Sequence, residues 1–99
     1  MQSKPNDLVR VHIWVKGRVQ GVGFRAHVEY YANQIGVKGW VRNVGWDTVE
    51  TVAAGKRAHV ERFIDKVKEG PRASRVDEAR VEWEEAGETF TGFSVLRSM

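Results

Sequence analysis

Apolar and polar residues alternate from Val9 onward. Val9, Val11, Ile13 and Val15 interleave with Arg10, His12, Trp14 and Lys16. A period of two predicts a half-buried strand. A glycine-rich stretch, "GRVQGVGFR" at 17–25, follows. From Phe24 the period lengthens: Phe24, Val28, Tyr31, Ala32 and Ile35 fall at helical spacing, and Gly36 stands where a left-handed residue would end the helix. "VKGWVRN" and "TVETVAA" predict two further strands, joined as a hairpin through "VGWD". Val60, Phe63, Ile64 and Val67 mark a second amphipathic helix, stopped by Gly70 and Pro71. Val76, Ala79, Val81 and Trp83 predict a fourth strand, with Glu82 and Glu84 on its solvent face. "GFSVLR" predicts a short fifth strand at an edge.

The predicted order is β-α-β-β-α-β plus a final short strand. This is the split βαβ, or ferredoxin-like, α+β arrangement, expected as an antiparallel sheet with two helices on one face. Ninety-nine residues suit one domain spanning 1–99, with Met1–Asp7 expected to be frayed.

Composition removes several classes of function. The chain has no cysteine, so disulfides and thiol chemistry are excluded. "MQSKPNDLV" lacks the apolar core of a signal peptide, and no apolar run is long enough to span a bilayer. A cytoplasmic location without a membrane partner is therefore expected. The net charge of +3 favours anionic partners only mildly. His12, His27 and His59 lack metal-ligand spacing and are expected to be structural or surface residues. Trp14, Trp40, Trp46 and Trp83 could stack on nucleobases, but the RNA-binding sequence signature of such sheets is missing. No nucleic acid is expected.

The glycine-rich loop carries the chemistry. Glycines at a strand-to-helix junction let backbone N–H groups converge, and the helix start adds unpaired N–H groups and partial positive charge. Arg25, in the first helical turn, adds a guanidinium fork. The junction is a candidate phosphate site. The plain alternative is a flexible connector. Asn43 is the second candidate. In this topology strands one and two run parallel with strand three between them, so the loop and Asn43 lie at one sheet edge, about 10 Å apart at backbone level. A phosphate and a water could sit between Arg25 and Asn43. The plain alternative for Asn43 is a turn residue. Glu29 and Glu50 could brace such a site, or serve ordinary surface roles.

"GRVQGVGFR", then "GVKGWVRN" and "VE", with "GPRASRVDEARVEW" and the "GFSVLR" ending, closely resembles the acylphosphatases over nearly the whole chain. The resemblance implies hydrolysis of acyl phosphates to a carboxylate and inorganic phosphate, with no metal or organic cofactor. It places the phosphate-binding arginine on Arg25 and the water-orienting asparagine on Asn43. It places the phosphate cradle on the backbone of Gly17, Arg18, Val19, Gln20, Gly21, Val22, Gly23, Phe24 and Arg25. Without zinc-finger cysteines or a further domain, a stand-alone monomeric enzyme is expected. The chain departs from the family pattern at the hairpin, where Thr48 replaces a glycine and Trp46 occupies the tip.

Overall fold

Alternation along the first strand leaves one face wholly apolar. In the computed structural model, which describes residues 8–85, 87 and 89–99, β1 spans Leu8–Arg18, and Val9, Val11, Ile13 and Val15 are buried. The expected fraying of Met1–Asp7 lies outside the described residues. Helix α1 covers Phe24–Ile35, and Gly36 closes it at φ 98° with its N–H donating to the Ala32 carbonyl. Strand β2 is Lys38–Val44 and β3 is Thr48–Lys56. Helix α2 is Arg57–Glu69, β4 is Arg75–Glu84 and β5 is Phe93–Val95.

The five strands form one sheet in the order β4-β1-β3-β2-β5. β3 lies antiparallel between β1 and β2, so β1 and β2 run in the same direction. The expectation of a wholly antiparallel sheet is corrected at one edge: β5 pairs with β2 in parallel, Gly39 against Phe93 and Val41 against Val95. β4 ends at Glu84 opposite Arg10, near the start of β1, which is the sheet end where β2 also starts. The chain thus re-enters the sheet at the start of β2 and must follow its direction. Pairing continues past β5: the Leu96 N–H donates to the Val41 carbonyl at 2.8 Å and the Met99 N–H to the Asn43 carbonyl at 2.9 Å.

Both helices cover one face of the sheet. Phe24, Val28, Ala32 and Ile35 of α1 and Val60, Phe63, Ile64 and Val67 of α2 meet the inward residues of β1, β2 and β3 in one core. Phe63 is fully buried and its ring lies 5.9 Å from that of Phe93. Replacing Phe63 with alanine should remove about 3–5 kcal/mol of stability through lost burial and a residual cavity. Urea unfolding should show a lower midpoint with an unchanged slope.

Candidate active site

The loop after β1 is built from two kinds of residue that alternate in purpose. Val19 and Phe24 are buried in the core, and Val22 packs against it. These apolar side chains pin the loop to the protein body. Between them, Gly21 and Gly23 adopt φ 74° and 82°, a region costly for residues with a Cβ. Gly23 caps α1 in a left-handed conformation with no side-chain cap, and the helix has no acidic residue in its first turn. The backbone N–H groups from Gln20 to Arg25 donate to no acceptor among the described residues. The loop thus presents a row of unpaired donors at the positive end of a helix.

Gly17 and Arg18, expected within the cradle, are the last residues of β1, after a register shift at Lys16–Gly17. Gly17 holds φ 142° because β4 crosses close by; a Cβ there would collide with the Arg75 carbonyl. Its N–H donates to the Asp47 carbonyl of the β2–β3 turn at 3.0 Å.

Asn43 reaches the same place from β2. Its register partner is Val49, and it shares a face with the fully buried Val41, so its side chain turns toward the helical layer. It is only 8% exposed, yet its Oδ1 has no hydrogen-bond partner among the described residues. A recess of about 340 Å³ is lined by Val19, Gly21, Gly23, Arg25, Glu29 and Asn43, among others. Arg25 forms no ion pair among the described residues. The arrangement joins a free guanidinium, unpaired backbone donors and an unpartnered amide oxygen around one cavity. That is the donor set for a tetrahedral oxyanion together with a polar small molecule.

A larger recess, about 540 Å³, lies beside the same loop, lined by residues including Lys16, Arg18, Gln20, Trp46 and Arg75. It contains charges that satisfy each other, such as Arg75 with Asp77 at 2.9 Å. The smaller recess is the stronger chemical candidate because its polar groups are unpaired. The hairpin beside both recesses accommodates its unusual residues easily. Gly45 takes the left-handed position at φ 61°, Thr48 is an ordinary strand residue, and Trp46 projects outward at 84% exposure.

The two carboxylates considered with the site separate. Glu29 lines the recess. Glu50 lies on the opposite face of the sheet, where it is 7% exposed and accepts from the Arg42 Nε at 2.7 Å while its other oxygen lies 2.6 Å from the His12 Nε2. Burial alone would raise its pKa, but hydrogen bonds and charge from Arg42 and His12 prevail, and the pKa is lowered. His12 also stacks on Trp14, with ring centroids 3.8 Å apart. Arg42 and Arg80 lie over Trp40 and Trp14 at 4.9 Å. His27 contacts the Lys66 carbonyl at 2.9 Å. No group of three potential metal ligands occurs among the described residues. No helix among them is long and apolar enough to cross a membrane.

A family model described as acylphosphatase matches residues 11–95. The chain belongs to the acylphosphatase family. An acylphosphatase from Gloeobacter violaceus is 49% identical over 90 residues, covering 91% of this chain and 96% of its own. The crystal structure of an acylphosphatase from Bacillus subtilis superposes with TM-score 0.85 at 35% identity, covering 89% of this chain and 98% of that one. Full-length HypF, crystallised in a phosphate- and nucleotide-bound form, contains a similar unit. It matches 98% of this chain but 13% of its own, with TM-score 0.85 and 29% identity. The acylphosphatase fold thus occurs both in small proteins and within a much larger chain.

Val95 lines the recess from β5, and the tail at Leu96 and Met99 bonds along β2; "GFSVLR" marks the strand but not this approach to the site. Glu50 makes stability depend on pH. Its lowered folded pKa means that the unfolded chain takes up the proton first as pH falls. Its contribution to stability is therefore complete above the unfolded value near 4.5 and is lost on acidification through the lower folded value. Glu50→Gln should flatten the fall in unfolding free energy as the pH is lowered through and below about 4.5, measured by urea titration at each pH.

Proposed function

We propose that this protein hydrolyses the carboxyl–phosphate bond of acyl phosphates, releasing a carboxylate and inorganic phosphate. The observation that carries this reading is the buried, unpartnered Asn43 Oδ1 in the recess that also holds Arg25. Family membership supplies the substrate class. In this reading the phosphoryl oxygens accept from the unpaired loop amides of Gln20 to Arg25, the Gly17 N–H being taken by the Asp47 carbonyl, and from the Arg25 fork. Asn43 accepts a hydrogen bond from a water and aims its oxygen at phosphorus.

The chemistry suits so small a set of groups. A carboxylate is a good leaving group, so no acid is needed to protonate it. The water oxygen bonds to phosphorus as the bond to the acyl oxygen breaks, and that electron pair leaves with the carboxylate. A non-bridging phosphoryl oxygen takes the proton of the water, which removes the need for a strong base. Arg25 and the amides hold charge already aimed at the phosphoryl oxygens, so little reorganisation is required. An alkyl phosphate, whose alkoxide leaves poorly, is a poor substrate for this set. We infer further that residues 1–99 form a single domain that acts as a monomer in the cytoplasm, without metal, organic cofactor or nucleic-acid partner.

The test is hydrolysis of benzoyl phosphate by metal-free protein. Wild-type protein should turn it over and leave a simple alkyl monoester nearly untouched. Arg25→Lys keeps charge but loses the fork, and should lower kcat/KM by about tenfold to a hundredfold or more while weakening phosphate inhibition. Asn43→Ala should lower kcat by about a hundredfold with KM within about twofold. A near-normal kcat in Asn43→Ala refutes the water-orienting role. Absence of hydrolysis by wild-type protein would leave a non-catalytic anion- or RNA-binding module instead.

A further inference from the structure

We infer that the Gln20 side chain is a positioning residue that fixes Asn43 relative to the loop. This rests on the reaction proposed above and concerns the Gln20 amide rather than its backbone. The Gln20 Nε2 donates to the carbonyls of Thr48 at 2.9 Å, Gly45 at 3.2 Å and Val44 at 3.3 Å. Two N–H groups serve three acceptors, so at least one is shared. Three carbonyls converging on one atom also fix the amide orientation, since the oxygen end would be repelled.

Those three carbonyls are the neck of the β2–β3 hairpin. Val44 and Thr48 form its last register pair, and Gly45 opens the turn in a left-handed conformation. Asn43 directly precedes them. Its own Oδ1 makes no bond that could hold the side chain in place. Its location is instead imposed through its backbone, which the Met99 N–H grips from the β5 side through the Asn43 carbonyl. Gln20 supplies the grip from the loop. A second stitch, the Gly17 N–H to the Asp47 carbonyl, crosses the same gap at the root of the loop. The loop that presents the backbone donors thus reaches over to hold the strand that presents the asparagine; the sheet brings the two into range, and the Gln20 side chain with the Gly17–Asp47 bond fixes their final alignment. The Gln20 side chain is committed to the hairpin and does not line the recess that holds Arg25 and Asn43. Its loss should disturb aim rather than binding, because a displacement of about 1 Å at a reacting centre costs about a hundredfold in rate.

The experiment uses the full chain and benzoyl phosphate, with inorganic phosphate as a competitive probe of the cradle. Gln20→Ala and Gln20→Met, the second keeping side-chain length without a donor, should each lower kcat by about tenfold to a hundredfold. KM and the phosphate inhibition constant should stay within about twofold. In an Asn43→Ala background, Gln20→Ala should change kcat by less than about twofold, because there is no longer an asparagine to aim. Full multiplication of the two losses overturns the proposal, as does weakened phosphate inhibition, which would place Gln20 in the cradle. A loss of kcat that only tracks a smaller folded fraction in urea titrations overturns it as well. Inactive wild-type protein overturns the functional reading and this role with it. Active wild-type protein with unchanged kcat in Gln20→Ala overturns this role alone.

Discussion

Everything at the candidate site depends on β3 being hydrogen-bonded between β1 and β2. Because each outer strand is antiparallel to β3, the two are parallel to each other, and their carboxyl ends emerge at one sheet edge. One end becomes the glycine-rich loop and the start of α1. The other carries Asn43. No contact between these segments is needed to bring them into range; two inter-strand spacings, about 10 Å, do so. Val49 and Ala53, on the inward face of β3, are fully buried. A slip of one residue in β2 would turn the fully buried Val41 outward and move Asn43 to the other face. The same burial that stabilises the core therefore sets which face the asparagine occupies.

The two faces of β3 divide the labour. Inward, the face belongs to the core and, at its end, to the recess. Outward, Glu50 holds Arg42 from β2 and His12 from β1. A carboxylate so poorly exposed is tolerated because each oxygen has a charged or polar partner. This network ties β2 and β1 to β3 from behind. It lies one residue along β3 from Val49, the partner of Asn43. The charges of this network are matched, whereas Arg25 in the recess forms no ion pair among the described residues.

The elements were legible where periodicity was strong. The apolar positions of α2 were all assigned correctly, because Val60, Phe63, Ile64 and Val67 are all buried. Gly36 could be read as a helix end because its left-handed conformation follows from the lack of a Cβ. The direction of β5 was not legible. Three residues carry no directional signal, and the direction follows from where β4 releases the chain. Arg25 and Asn43 could be singled out from residue type and topology. The buried state of Glu50 could not, since alternation says which face a residue takes and not what covers it. The Gln20 clamp was equally hidden. A side-chain amide bonding to three carbonyls more than twenty residues away leaves no local pattern.

The site also shows where local preference and global fold disagree. Native chains satisfy nearly all buried polar groups, and an orphaned acceptor costs about 1–3 kcal/mol. Here the orphan is Asn43 Oδ1, and the donors without partners cluster at the loop facing the same recess. An asparagine buried only to fill space would be replaced with gain in stability by an apolar residue, since Val41 beside it is already core. A helix start lacking both a capping side chain and an acidic residue likewise forgoes about 1 kcal/mol of readily available stabilisation. A capping carboxylate at that position would also occupy the donors that an anion needs. In the proposed reaction these unmet groups act together as one feature, a surface left unsatisfied by its own side chains that a phosphate and a water would complete.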